Sequence, residues 1–202
     1  MAGCKLYYFN AKGRAELTRY AYAFKDVSYE DIRFDDNNLK LEDFKPRTPF
    51  GSAPALEVNG VVYAQSMAIA RYVAREVGLM GANSLETLKI DMILDALSSD
   101  IFPFLRDVFM GETDEIKAAA KTKAVEAIHK IFAKLEALVS GDYFLGSEVS
   151  LADLAVFNFV NDFLPALGTN VDDLSKITNI VSSLKANENI KKHLENRPKT
   201  DM

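Results

Sequence analysis

The sequence predicts a chain in two parts, an α/β lobe followed by an all-helical bundle, and three observations carry that reading. Short β-type runs surround helical stretches up to Gly78, in the order βαβ, loop, ββα. The pair Asn59-Gly60, a strong short-range hairpin signal, joins the last two of those runs. From Gly81 onward apolar residues recur at helical spacing and no convincing strand follows. The expected divisions are an α/β domain over 1–79, a linker over 80–83 and a helical domain over 84–202. A chain of 202 residues that is 49% hydrophobic can bury one sizeable core or two modest ones.

Lys5 to Phe9 reads as a first strand, and alternation sends Tyr7 and Tyr8 to opposite faces. Arg14 to Phe24 follows as a helix with Leu17, Tyr20, Ala21 and Phe24 on one face. Val27 to Phe34 alternates imperfectly as a second strand, and a polar loop runs from Asp35 to Thr48. Ala55 to Val58 and Val61 to Ala64 form the hairpin, after which Ser66 stands as N-cap to a helix reading Met67, Ile69, Ala70, Tyr72 and Val73. Met80, Gly81 and Asn83 make the linker. Leu85 to Phe109 and Thr113 to Val139 each carry a long apolar stripe and read as bundle helices. Ser150-Leu151-Ala152-Asp153 is a capping-box variant, stapled by Val149 and Leu154, in which Asp153 satisfies amide donors rather than performing catalysis.

Composition excludes several classes. A net charge of −5 with interleaved signs argues against nucleic-acid binding, which needs a basic face. The chain has no apolar run of about eighteen residues and no apolar signal core after Met1, so a cytoplasmic protein without a membrane partner is expected. A single cysteine, Cys4, rules out an internal disulfide and a cysteine-based zinc site. No histidine lies near Cys4 in sequence, and His129 and His193 are expected on helix surfaces. Lys191-Lys192 and Arg197-Pro198-Lys199 read as a solvated basic terminus. No metal or redox cofactor is indicated.

Two segments carry chemistry. Around Ala53-Pro54 and Gln65-Ser66, a helix start offers backbone amides and a hydroxyl to a carboxylate, and a cis-capable X-Pro bond sets Ala53 to pair with an extended peptide. An ordinary hairpin and capped helix is the structural alternative. At the end of the first strand, a tyrosine phenol just ahead of Arg14 can donate a hydrogen bond to a bound thiolate and lower the thiol pKa.

These residues together resemble a cytosolic glutathione transferase, most similar to the sigma class. The resemblance rests on Tyr8-Phe9-Asn10 with Gly13-Arg14-Ala15-Glu16, on Pro49-Phe50-Gly51 through Pro54-Ala55-Leu56-Glu57-Val58, on Gln65-Ser66 with Ala68-Ile69-Ala70-Arg71-Tyr72, and on Gly146 with Ser150 to Leu154. It covers nearly the whole chain and implies a thioredoxin-like first domain, an all-helical second domain, and a homodimer with one glutathione site per subunit. Glutathione would be a co-substrate, with no permanently bound cofactor. Tyr8 would be the catalytic phenol and Arg14 its support. Lys45 would meet the glycine carboxylate, Ala53 would pair through its backbone beside Pro54, and Gln65 and Ser66 would hold the γ-glutamyl end.

The departures are specific. The loop tryptophan usual in the sigma class is missing, and Leu39 or Leu41 occupies its region with apolar contact only. Ser52 stands where lysine or glutamine is common. Asp100 follows Ser99, where simple alignment expects an acid that crosses the dimer; Arg71 is a candidate for pairing with the partner's acids. Phe102, Phe104, Leu105, Phe109 and Phe163 are candidate linings for a hydrophobic electrophile, with core packing as the other account. The expected activity is conjugation or reduction of such electrophiles in detoxification. Isomerisation of a prostaglandin-type endoperoxide, and a structural or ligand-carrying role, are the alternatives.

Overall fold

The computed structural model describes residues 3–34 and 39–200. By contact the chain divides into two compact units, Met1–Leu79 with Leu184–Met202 and Met80–Ser183. The carboxy-terminal stretch, expected as part of the helical domain and as a solvated tail, thus clusters with the first unit.

In the first unit, β1 (Cys4–Phe9), β2 (Glu30–Phe34), β3 (Ala55–Val58) and β4 (Val61–Ala64) form one mixed sheet in the order β2-β1-β3-β4. β1 runs parallel to β2 and antiparallel to β3, with Tyr7 opposite both Ile32 and Ala55. Alternation then puts Tyr7, Phe34 and Ala55 on one face, where Phe44 packs among them. Tyr8 faces the other way. β2 is shorter than the run read from sequence, since it begins at Glu30.

The polar loop is not wholly irregular. Its residues 35–38 lie outside the described residues, but α2 (Leu41–Phe44) and a 3-10 turn (Lys45–Arg47) follow. Phe44 causes this turn of helix to dock, because its ring stacks on Tyr7 at 4.2 Å between centroids and touches Phe34 at 5.6 Å.

A 3-10 turn (Gly13–Ala15) leads into α1 (Glu16–Phe24), and β4 leads into α3 (Ser66–Glu76). α1 is buried on nearly every side from Glu16 to Tyr22, wider than the single apolar face the sequence suggests. The cause is that α3 and the last helix, α10 (Glu188–Asn196), both pack on it.

In the second unit, the expected helix over 85–109 is two helices, α4 (Ser84–Asp100) and α5 (Phe102–Met110). Pro103 in the first turn of α5 explains the break, because a proline inside one continuous helix would remove a hydrogen bond and clash with the preceding turn. Asn83 caps α4 by accepting from the amides of Leu85 and Glu86 at 3.0 and 3.1 Å. α6 (Asp114–Leu138), capped by Thr113, buries Ala120, Ala124, Ile128, Ile131, Phe132 and Leu135 at helical spacing. α7 (Leu151–Asn158) is buried on all sides and opens with the expected capping box. A π-helical turn (Phe159–Phe163) and α8 (Leu164–Leu167) continue it, and α9 (Ser175–Ala186) follows.

Asp153 is fully buried and fully engaged. Its carboxylate accepts from the amides of Phe144 and Ser150 and from the Ser150 hydroxyl at 3.0, 2.8 and 2.7 Å. Phe102, Leu105 and Phe163 are also buried, and Phe102 meets Phe159 and Phe163 at 5.2 and 5.7 Å. Of the candidate lining residues, these three are core, whereas Phe104 and Phe109 are half-buried.

Candidate functional site

Strand register brings several of the predicted site residues to one end of the sheet. Tyr8 lies near the end of β1; Ala55, the first residue of β3, pairs with Tyr7; and Ala64, the last of β4, pairs with Ala55. The segments just beyond, Ser52-Ala53-Pro54 and Gln65-Ser66, therefore leave the sheet at the same end as Tyr8. Ala53-Pro54 is a cis peptide.

Tyr8 is held from several sides. Its hydroxyl accepts the Arg14 backbone amide at 3.1 Å, so Arg14 supports the phenol through its main chain, while its side chain is exposed. Gly13 makes room for that contact. Its φ is +43, and a Cβ built there would lie 2.5 Å from the Tyr8 oxygen. The Arg19 guanidinium lies 5.8 Å from the Tyr8 ring centroid.

Sequence reading missed Arg19, which is buried completely at the centre of a charged cluster. It donates to the Ala11 carbonyl at 2.7 Å, to Glu16 at 3.0 Å and to Asp31 at 3.2 Å. Glu16 also receives His193 at 2.8 Å and Arg197 at 2.8 Å, and Arg197 donates to the Tyr20 hydroxyl at 2.8 Å. Burial alone would raise the Glu16 carboxyl, but the His193 hydrogen bond and the Arg19 charge outweigh it and lower its pKa to about 2. His193 and Arg197 are therefore not the surface histidine and solvated terminus expected. His129 is exposed, within 3.0 Å of the Thr169 hydroxyl. The available signal for the cluster was a charged pair, Glu16 and Arg19, within an otherwise uncharged helix.

Ser66 differs from its expected place. It is the first residue of α3, and Gln65 precedes it as N-cap with φ +76, a left-handed conformation unusual for a residue with a side chain. The first intrahelical bond runs from the Ile69 amide to the Gln65 carbonyl at 2.9 Å. The amides of Ser66, Met67 and Ala68 precede it and point out of the helix start, where they suit an anion. Ser66 is buried and Gln65 exposed.

Lys45 is half-buried, and its ammonium pairs with Glu42 at 2.7 Å. Leu41 is partly buried against the cluster of Tyr7, Phe34, Phe44 and Ala55, as is Leu39. Ser52 is exposed, and its amide donates to the Thr48 hydroxyl at 3.1 Å. Asp100 is the exposed last residue of α4, and Arg71 is half-buried on α3. Cys4 is buried in the sheet.

Comparison with known proteins bears on the fold and the family. The family model for the glutathione S-transferase N-terminal domain matches residues 4–75, and that for the C-terminal domain matches residues 99–197. A probable glutathione S-transferase 6 of Caenorhabditis elegans is 32% identical over 98% of each chain. The hematopoietic prostaglandin D synthase of Gallus gallus is 44% identical over 52% of this chain and 51% of its own. Among solved structures, a Nu-class transferase from Haemonchus contortus superposes with a TM-score of 0.83 at 29% identity, covering 98% of both chains. The four-stranded thioredoxin-like lobe and the helical second part are those of this fold, and the chain belongs to the glutathione S-transferase family of enzymes.

Proposed function

We propose that the protein activates glutathione at the sheet end described above and transfers it to hydrophobic electrophiles. Tyr8 donates its phenolic proton in a hydrogen bond to the glutathione sulfur, which stabilises the thiolate. The thiol proton leaves to solvent, and the sulfur lone pair forms the new bond to the electrophile as its leaving group departs. The observation that carries this reading is the seating of the Tyr8 hydroxyl by the Arg14 amide over Gly13, at the sheet end from which the cis-proline segment and the α3 start also leave.

The remaining roles follow the tripeptide. Lys45 exchanges its Glu42 partner for the glycine carboxylate, with Leu41 beside it. Ser52, Ala53 and Pro54 receive the cysteinyl unit, and Gln65 with the Ser66 amide and hydroxyl holds the γ-glutamyl end. Residues 1–79 act as the glutathione domain, 80–83 as linker and 84–202 as the helical domain bearing the electrophile site. The working form is a cytoplasmic homodimer of sigma-like character serving detoxification, with Asp100 reaching the partner's glutathione. Exposed apolar side chains support the dimer: Phe50, Val61 and Tyr63 in the first unit, and Leu85, Leu88 and Met92 along α4.

The test is the ultraviolet difference spectrum of bound glutathione across pH. A thiolate signal below neutral pH in the wild type, shifted upward by one to two pH units in Tyr8→Phe with affinity retained, is the expected result; about 1.4 kcal/mol of anion stabilisation accompanies each unit. An unchanged pKa in Tyr8→Phe refutes the assignment. Binding without a thiolate signal points to a carrier of the same fold.

The likeness to a prostaglandin D synthase supports a second reading, glutathione-dependent isomerisation of an endoperoxide. Product analysis with a prostaglandin endoperoxide separates it from conjugation.

A further inference from the structure

Thr48 is a threonine beside Pro49 that the functional reading does not use, yet it is buried in a surface turn. Its hydroxyl donates to the Lys45 carbonyl at 3.1 Å and accepts the Ser52 amide at 3.1 Å. The Thr48 amide also donates to the Lys45 carbonyl, at 3.0 Å. One hydroxyl thus bridges the turn that carries Lys45 to the segment that carries Ser52, Ala53 and Pro54.

The same turn is fixed to the sheet by Arg47, the residue before Thr48. The Arg47 guanidinium lies 4.9 Å from the Phe44 ring centroid and 5.7 Å from that of Tyr7. It pairs with Glu57 of β3 at 2.7 Å, and the Tyr7 hydroxyl donates to the same Glu57 oxygen at 3.0 Å. With that side anchored, Thr48 sets the spacing between Lys45 and Ser52.

We propose that Thr48 is a positioning residue for glutathione binding, whose hydroxyl holds Lys45 and the Ser52-Ala53 backbone at the separation that the glycine carboxylate and the cysteinyl unit require. The inference rests on the glutathione reading given above. Thr48 touches neither substrate; it lowers the disorder that binding must otherwise remove from a two-sided clamp.

The test compares glutathione with γ-glutamylcysteine, which lacks the glycine and so needs only one side of the clamp. Thr48→Val, which keeps the shape and loses the hydroxyl, is expected to weaken glutathione binding and raise its KM roughly five- to tenfold. The kcat at saturating glutathione and the KM for 1-chloro-2,4-dinitrobenzene stay as in the wild type. Affinity for γ-glutamylcysteine changes less than about twofold, and Thr48→Ser restores wild-type glutathione binding. Equal weakening for both ligands, no weakening for either, or failure of serine to restore binding overturns the positioning role while leaving the glutathione site intact. If the wild type binds both ligands equally well, the glycine carboxylate is not recognised, and the Lys45 assignment falls together with the proposal. Should Thr48→Val fail to fold, Thr48→Ala removes the same hydroxyl without added bulk and is read by the same outcomes.

Discussion

Glu16→Gln tests the charged cluster beneath the site, because it preserves shape and removes one charge. The wild-type carboxylate lies 3.0 Å from Arg19 and 2.8 Å from both His193 and Arg197, with its side chain 1% exposed. Its pKa falls from the ordinary 4.5 to about 2, which at about 1.4 kcal/mol per pH unit is roughly 3 kcal/mol of stability at neutral pH. Because the folded pKa lies below the unfolded one, that contribution is present above 4.5 and is lost as pH falls toward about 2. Glutamine has nothing to titrate there. Urea unfolding at neutral pH is therefore expected to show the variant less stable by about 2–4 kcal/mol, with a drop in Tm of roughly 5–15 °C. Near pH 3 the gap between the two proteins should narrow to less than half. A gap below about 1 kcal/mol at neutral pH, or one that does not change on acidification, would refute the account of Glu16 as a net stabilising charge.

Further consequences are open to direct measurement. Gly13→Ala brings a methyl group to 2.5 Å from the Tyr8 oxygen, so kcat should fall at least about tenfold with thermal stability lowered only modestly; unchanged turnover would show that the phenol position is not critical. Ser66→Ala should weaken glutathione by roughly fivefold in titration calorimetry, and unaltered affinity would count against the γ-glutamyl assignment. Asp153→Ala orphans the buried amides of Phe144 and Ser150 and should cost about 2–4 kcal/mol in denaturant unfolding without selectively altering glutathione affinity; a variant as stable as the wild type would contradict the capping role.

Much of this molecule is legible in local patterns. Alternation across Lys5–Phe9, the Asn59-Gly60 turn, the capping box at Ser150 and the apolar period of 114–138 depend on neighbours within a few residues, and each yields the element expected. The candidate segments around Tyr8, Pro54 and Gln65 are likewise short motifs at strand ends. Pro103 was visible too, and its position divides what an apolar stripe alone presents as one helix.

Other features depend on residues far apart in the chain. His193 and Arg197 look like exposed polar residues because nothing near them in sequence is a buried acid; their partner, Glu16, lies 177 and 181 positions away. Only the return of α10 to α1 makes these side chains partners of a buried acid, in contacts strengthened by the exclusion of water. Likewise, sequence suggested that Arg14 supports Tyr8, but backbone folding assigns that contact to its amide and gives Gly13 the task of leaving space. Thr48 follows the same logic. Its hydroxyl acquires a role only when the turn brings the Lys45 carbonyl and the Ser52 amide within reach of one oxygen. The sequence by itself determined most of the local elements, because strands, turns and caps are set by local spacing, and its separated motifs carried the resemblance to the family. Tertiary structure decided which buried polar groups meet, because hydrogen bonds require atoms to converge to about 3 Å regardless of their separation along the chain.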